Sequence, residues 1–292
     1  MKTPILTTPI RYPGGKSKAV KKLYPMLPKL DEYEEWREPF LGGGSMSIEI
    51  TKRFPDMKIW VNDLYPELYT FWTSVQSDGE EMSEKLLKMK SECHTPEAAK
   101  TMLGEQKEII NDKTSSKFDK AVAWYFANRN SFSGLTETGT YSDQANKMSF
   151  TISIISKLPH YQKLIRNWKF TNGSYDVLLK DNNSKAFVYL DPPYELTKQN
   201  ANNLYGKRGS MHEGFDHDEF AKNCNECDMD MMISYNADQS IKERFQGLND
   251  LEFDHTYSMR SVGNYMENQK DRKELVLTNY GSLGQGSLEA FI

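Results

Sequence analysis

Ala186-Phe187-Val188-Tyr189-Leu190 runs directly into Asp191-Pro192-Pro193-Tyr194, an apolar run stopped by two prolines. Proline carries no backbone N–H, so the pair removes two ladder donors and ends a strand. Other short runs of strand character lie at Lys58–Val61, Trp168–Thr171, Met229–Ser234, Leu251–Tyr257 and Glu274–Thr278, each bounded by Asn, Asp, Gly or Pro. Stretches of helical length and period separate several of them, which predicts an α/β fold with an open, largely parallel sheet wrapped by helices. From about Gly79 to Phe126 the alternation breaks. That segment is charged, rich in helix formers and without strand runs, and a loop-rich stretch continues it to about Leu164. The expected layout is an α/β unit built from 1–78 and 165–280, a mostly helical insertion at 79–164, and a tail at 281–292 that begins with the Gly/Ser-rich linker Gly281–Gly286.

A chain of 292 residues with 38% hydrophobic content can bury one large core with a smaller inserted unit. No apolar run approaches the roughly 20 residues that span a bilayer, and the first ten residues lack the continuous apolar stretch of a signal peptide. Cys224 and Cys227 form a lone C-x-x-C, which supplies half of a zinc site and reads as two helix residues near one face. No metal is expected, and a reducing, cytoplasmic compartment fits three cysteines. The net charge of −4 argues against an indiscriminate nucleic-acid coat. Residues 121–170 nevertheless carry six basic side chains, among them Arg129 and Lys147, against Glu137 and Asp143, a local charge of +4. Such a stretch is either a solvated surface or a nucleic-acid face.

The chemistry resides in three motifs. An aromatic amine is a poor nucleophile because its lone pair is delocalised into the ring. Asp191 and a backbone carbonyl held rigid by Pro192 and Pro193 can both accept hydrogen bonds from such an NH₂, which draws the nitrogen toward a tetrahedral state and frees the lone pair for a sulfonium methyl. Tyr194 can stack on the base that carries the amine. The second motif is Glu38-Pro39-Phe40-Leu41-Gly42-Gly43-Gly44-Ser45, whose glycines let a backbone approach a ligand before a helix starts. About twenty residues on, the strand Lys58–Val61 ends at Asn62-Asp63, where a nucleotide-type fold binds a ribose diol. The third motif, Arg11-Tyr12-Pro13-Gly14-Gly15-Lys16, lacks the spacing of a phosphate loop, and Lys16 suits a single carboxylate such as the methionine end of a cofactor.

The order Y-P-G-G-K, E-P-F-x-G-G-G-S, N-D, N-R-N-S-F-S-G-L and D-P-P-Y resembles the Dam-type (D12 class) DNA adenine methyltransferases, from about Ile10 to Tyr280. The resemblance implies a Rossmann-like S-adenosylmethionine-dependent sheet with an inserted target-recognition domain, and site-specific methylation of adenine N6 in double-stranded DNA with the base flipped out. It also implies that Tyr12, Lys16, Phe40, Gly42, Asp63 and Asp176 contact S-adenosylmethionine, and that Asp191, Pro192, Pro193 and Tyr194 are catalytic, with Asp191 also near the cofactor. Asn128, Arg129, Asn130 and Phe132 match the loop that borders the recognition hairpin, with Lys147 beyond it. Met231–Asn236 is similar to the strand closing the target-base pocket.

Two departures set this chain apart from the GATC-methylating members. Thr136-Glu137 follows Ser133-Gly134-Leu135 where those members carry a basic residue, and Tyr141–Ala145 replaces their N-V-P-x-G segment. GATC specificity is therefore not implied. Methylation of RNA adenine, cytosine N4 or protein glutamine, and a non-catalytic DNA-binding role, are the competing readings. Asp191 and the motif order favour DNA adenine. Restriction, phage self-protection and replication control stay open as purposes. Lys198, Lys207 and Arg208 lie in a polar stretch that either orders on DNA or is a plain surface loop. In the tail, the spacing Gln285-x-x-Leu288-x-x-Phe291-Ile292 resembles the peptide by which replication and repair enzymes dock on a DNA sliding clamp.

Overall fold

The strand runs assemble into one seven-stranded sheet. The computed structural model describes residues 4–12, 15–136, 138–194, 214–254 and 273–281. Its strands are β1 (Glu35–Glu38), β2 (Lys58–Asp63), β3 (Lys169–Asn172), β4 (Ala186–Leu190), β5 (Asp230–Asn236), β6 (Asn249–Asp254) and β7 (Lys273–Thr278). They lie in the order β3-β2-β1-β4-β5-β7-β6. β1 to β5 are parallel, and β7 is antiparallel between β5 and β6. The α/β class and the largely parallel sheet are as expected, and β1 is the strand that no apolar run announces.

Eleven helices are described: α1 (Val20–Leu23), α2 (Ser45–Arg53), α3 (Pro66–Glu92), α4 (Pro96–Asn111), α5 (Lys117–Asn130), α6 (Asp143–Ser149), α7 (Ile152–Ile155), α8 (Leu158–Leu164), α9 (Asp176–Lys180), α10 (His217–Asn225) and α11 (Gln239–Arg244). β4 is buried at every position, because it lies between β1 and β5 with both faces covered. Its side chains alternate between two clusters. Phe187 and Tyr189 point to one face, where Trp36 stacks on both at 5.5 and 5.9 Å. Ala186, Val188 and Leu190 point to the other, with Met231, Ile233, Leu275 and Phe220.

The helical segment belongs to the first face. Leu86, Leu103, Trp124 and Phe150 share one continuous cluster with Trp36, Phe187 and Val276. α3 makes the connection and runs through the expected boundary at 78/79. Its buried Leu68, Phe71, Trp72, Val75, Met82, Leu86 and Met89 recur every few residues on one stripe. Asp78 leaves helical geometry at φ −130°, ψ 27°, and α8 satisfies the backbone groups released by the kink. Gln162 accepts from Glu80 N at 3.0 Å and donates to Ser77 O at 2.7 Å. A Cβ on Gly79 would lie 2.8 Å from that of Gln162, so glycine is what lets the two helices approach here. No described helix is long and apolar enough to cross a membrane.

Candidate active site at the carboxyl edge of the sheet

The strand order reverses between β1 and β4, and the loops leaving their carboxyl ends diverge there to leave a crevice. The loop after β1 carries the glycine motif. Gly42 and Gly44 hold φ of 46° and 63°, the left-handed region in which a side chain is strained. Space forbids one at Gly42 as well, since its Cβ would fall 2.8 Å from Cε1 of Tyr12. The turn is held from below: Gly42 N donates to Asp63 Oδ2 at 2.9 Å, and Trp72 Nε1 donates to Gly42 O at 3.1 Å. Asp63 Oδ1 accepts from Tyr65 N at 3.0 Å. Burial pushes the Asp63 carboxyl up to about 6, against the pull of these backbone N–H donors.

Phe40 stacks on Tyr175 at 5.3 Å and meets Phe215 and Phe220 edge-on at 5.8 Å. Beside this aromatic wall, Asp176 opens α9 and pairs with Lys180 at 2.5 Å, which holds its carboxyl below the usual range.

The loop after β4 carries Asp191, whose side chain is 22% exposed. Burial pushes its carboxyl up to about 7; Lys16 opposes that shift and Glu274 adds to it. Lys16, almost wholly buried, has its ammonium 3.4 Å from Asp191 Oδ1 and in direct contact with Glu274 Oε1 and the Tyr194 hydroxyl. Tyr194 donates to Glu274 Oε1 at 2.5 Å and stacks on Tyr235 at 5.9 Å. Ser234 Oγ completes the set, donating to Glu274 Oε1 at 2.6 Å. Pro192 is buried, and Pro193 is partly exposed between it and Tyr194. Lys16 therefore sits with the tetrapeptide, while Ser17 beside it lies 2.9 Å, Oγ to Oγ, from Ser45 at the end of the glycine turn.

Glu38 joins the two sides. It ends β1, is 3% exposed and accepts from the N–H and hydroxyl of Ser47. Burial pushes its carboxyl up to about 8, and the charges of Asp191 and Asp63 both add to that. β1 lies between β2 and β4 in the sheet, so the acid that ends it stands between the acid that ends β2 and the acid that follows β4. Glu274 was not a candidate from sequence; Glu38 stood in the glycine motif, and Ser234 and Tyr235 in the strand likened to the one closing the base pocket, without roles of their own. A start-of-strand position on a strand running against its neighbours is the one signal that could have pointed to Glu274.

The N-R-N-S-F-S-G-L segment turns most of its polar side chains inward. Asn128 Oδ1 accepts from Arg11 N at 2.9 Å, and its Nδ2 donates to Arg11 O at 2.7 Å and Gly134 O at 3.0 Å. Arg129 is buried, donates to Pro9 O and lies 5.3 Å from the Tyr125 ring. Asn130 is buried and donates to Phe126 O at 2.8 Å. Phe132 is 42% exposed, and Lys147 is exposed and paired with Asp143 at 2.7 Å. Among the described residues no three His, Cys, Asp or Glu gather as a metal site, and Cys224 and Cys227 are unbridged. Pro13, Gly14, Glu137, Lys198, Lys207, Arg208 and the tail residues Gln285, Leu288, Phe291 and Ile292 lie outside the described residues.

A sheet of this order, with a glycine turn after β1, an acid ending β2 and D-P-P-Y after β4, defines a Rossmann-like methyltransferase. Within that class, the model of the D12 class N6 adenine-specific DNA methyltransferases matches residues 12–259, and the chain belongs to this family. It is similar to the type II methyltransferase M.MjaIII of Methanocaldococcus jannaschii, 25% identical over 68% of this chain and 73% of the relative. It is also similar to the type II methyltransferase M1.LlaDCHI of Lactococcus lactis subsp. cremoris, 22% identical over 93% of this chain and 95% of the relative. The DNA N-6-adenine-methyltransferase of Escherichia phage P1 is 20% identical over 63% of this chain and 24% of its own length.

Proposed function

We propose that this adenine-specific DNA methyltransferase binds S-adenosylmethionine on the β1–β2 side of the crevice and a flipped-out adenine on the β4–β5 side. The bound cofactor supplies an electrophilic methyl group on a sulfonium. The residues fit that ligand: Asp63 offers carboxylate oxygens to a ribose diol, Phe40 and Tyr175 offer an aromatic wall to a purine, and Gly42 against Tyr12 leaves backbone close to it. Asp176 is the acidic group beside that wall. Lys16 is assigned to the same ligand by sequence; its neighbours Asp191 and Glu274 make it equally a part of the transfer site.

On the other side, the Asp191 carboxylate and the carbonyl fixed by Pro192 and Pro193 accept the two amine hydrogens, and Tyr194 stacks on the base. The observation that carries this reading is Asp191 at the carboxyl end of β4, at the same edge of the sheet as Asp63 at the end of β2, with Glu38 of β1 between the two strands. Duplex DNA on this reading meets the exposed Phe132 and Lys147, with Asn128, Arg129 and Asn130 framing the loop that carries Phe132. The type II designation of two relatives favours a site-specific modification role in the cytoplasm, and Gln285, Leu288, Phe291 and Ile292 are proposed to dock on a sliding clamp.

The test is incorporation of labelled methyl groups into duplex DNA, RNA and bulk protein. N6-methyladenine in DNA is expected as the product. Asp191→Ala should lose at least about 10³-fold in rate, the scale of a lost preorganised polar contact, while still binding DNA. Labelled RNA, labelled cytosine or an active Asp191→Ala would overturn the reading.

A further inference from the structure

Among the described residues, Glu274 is a buried charge at the site to which the motifs give no role. Glu274 is 1% exposed, and an ionised carboxylate taken out of water is costly unless strong partners replace the solvent. It has them: Lys16, Tyr194 and Ser234 all bond to its Oε1. These three residues come from the Arg11–Lys16 motif, the Asp191–Tyr194 tetrapeptide and β5. The fold explains how they meet. β7 runs against its neighbours, so its first residues lie at the carboxyl edge of the parallel strands, with Glu274 opposite Asn236 at the end of β5. The same edge holds Asp191.

A buried ion pair made for stability needs one cation for one anion. Among the described residues a single ammonium lies against Glu274 and 3.4 Å from Asp191, so these two carboxylates share its positive charge. If Glu274 were neutral, Asp191 would be the one carboxylate beside Lys16 among the described residues. The aspartate would then spend its acceptor capacity on the lysine rather than on an amine. Tyr194 would also exchange a charged acceptor for a weaker neutral one, which loosens the hold on a ring that stacks on Tyr235.

We propose that Glu274 is a positioning residue for methyl transfer: it holds Tyr194 in place and draws Lys16 off Asp191, which leaves that carboxylate available to the target amine. The inference rests on the assignment of Asp191 and Tyr194 to the transfer site. Burial alone would raise the Glu274 carboxyl, and Lys16 with the Ser234 and Tyr194 hydroxyls instead holds it below its ordinary value. It is therefore ionised through the neutral range, and its charge is one of the causes that keep Asp191 high. The other groups facing Asp191 are Lys16, Glu38 from β1 and Tyr189 from β4.

The test is the pH profile of single-turnover methyl transfer to duplex DNA by wild type, Glu274→Gln and Glu274→Asp, with cofactor affinity measured alongside. Glu274→Gln should lower the rate about 10- to 100-fold and move the acid limb down by about one pH unit, because a like charge near Asp191 is gone. Glu274→Asp should return the limb toward wild type, and cofactor affinity should change less than about threefold. A merely structural role predicts a lower rate or melting temperature with the limb unmoved, and that result, or an unchanged rate, overturns the proposal. Should Glu274→Gln not fold, Ser234→Ala removes one hydrogen bond from the same oxygen; a rate within about 1.5-fold of wild type would then count against it. If wild type itself transfers no methyl group to DNA adenine, the functional assignment fails instead, which keeps the two outcomes separate.

Discussion

The pH dependence of the wild-type reaction follows from the Asp191 environment and can be worked out in advance. The strong, charge-assisted acceptance that draws on an amine hydrogen requires the carboxylate. With the group raised from 3.8 to about 7, the ionised fraction is about 0.9 at pH 8, about 0.1 at pH 6 and about 0.01 at pH 5. An unshifted aspartate at 3.8 would remain more than about 0.9 ionised at pH 5. The two cases differ nearly a hundredfold at that pH. Single-turnover transfer to a duplex, at saturating cofactor and DNA, should therefore fall about tenfold per pH unit below 7 with a slope of one. Cofactor affinity measured at each pH separates this from the titration of Asp63 near 6. A rate flat from pH 8 to pH 5.5 would show that Asp191 is not the acceptor, or that the crevice does not desolvate it.

Four further outcomes are expected. Asp63→Ala should weaken cofactor binding about 10- to 100-fold, as for a lost hydrogen bond to a charged group, and unchanged calorimetric affinity would remove Asp63 from that pocket. Glu38 sits near 8 when folded against an ordinary 4.5, so its stabilising contribution is complete below about 4.5 and is lost as pH rises through 8. Thermal unfolding of wild type should accordingly weaken between pH 6 and 9 by an amount on the order of 3 kcal/mol, and Glu38→Gln should flatten that decline; parallel curves would rule the group out. Phe132→Ala should weaken duplex binding about 5- to 50-fold, the scale of one stacking contact, while leaving cofactor affinity alone, as measured by fluorescence anisotropy. A peptide of residues 281–292 should bind a sliding clamp with micromolar affinity as an order of magnitude, and Phe291→Ala should abolish that binding.

Most of the sheet was legible because most of its strands are apolar. β4 sits between two neighbours with helices on both faces, so every side chain is buried and the run reads without interruption. β1 lies beside it and reads as Glu-Trp-Arg-Glu. Its Arg37 can be buried because its N–H groups find acceptors: Glu35 at 2.6 Å, Leu178 O at 2.7 Å and Asp181 O at 2.5 Å. Two of those acceptors are more than a hundred residues away in the chain, and no local pattern announces them. The same limit applies to the site. Asp191, Asp63 and the glycines stand in contiguous motifs, so they could be read directly. Glu274 reaches Lys16 only through the reversal of β7, and its sequence neighbourhood looks like the charged start of any strand.

The N-R-N-S-F-S-G-L segment shows what a motif can conceal. Its letters suggest a polar loop offered to DNA, yet Asn128 spends both ends of its amide on the backbone of Arg11. Arg11 returns the bond, its Nη1 donating to Ser131 O at 2.7 Å. The residue after Arg11 is Tyr12, whose ring lies against Gly42. The two motifs, more than a hundred positions apart, thus form one unit that ties the loop displaying Phe132 to the glycine turn beside Asp63. The energetics favour keeping it whole. Without the Asn128 amide, the Arg11 N–H and C=O and the Gly134 C=O would lose a partner together, at about 1–3 kcal/mol for each group left buried and unpaired. The polar residues of the segment are therefore its frame, and Phe132 is what the frame turns outward.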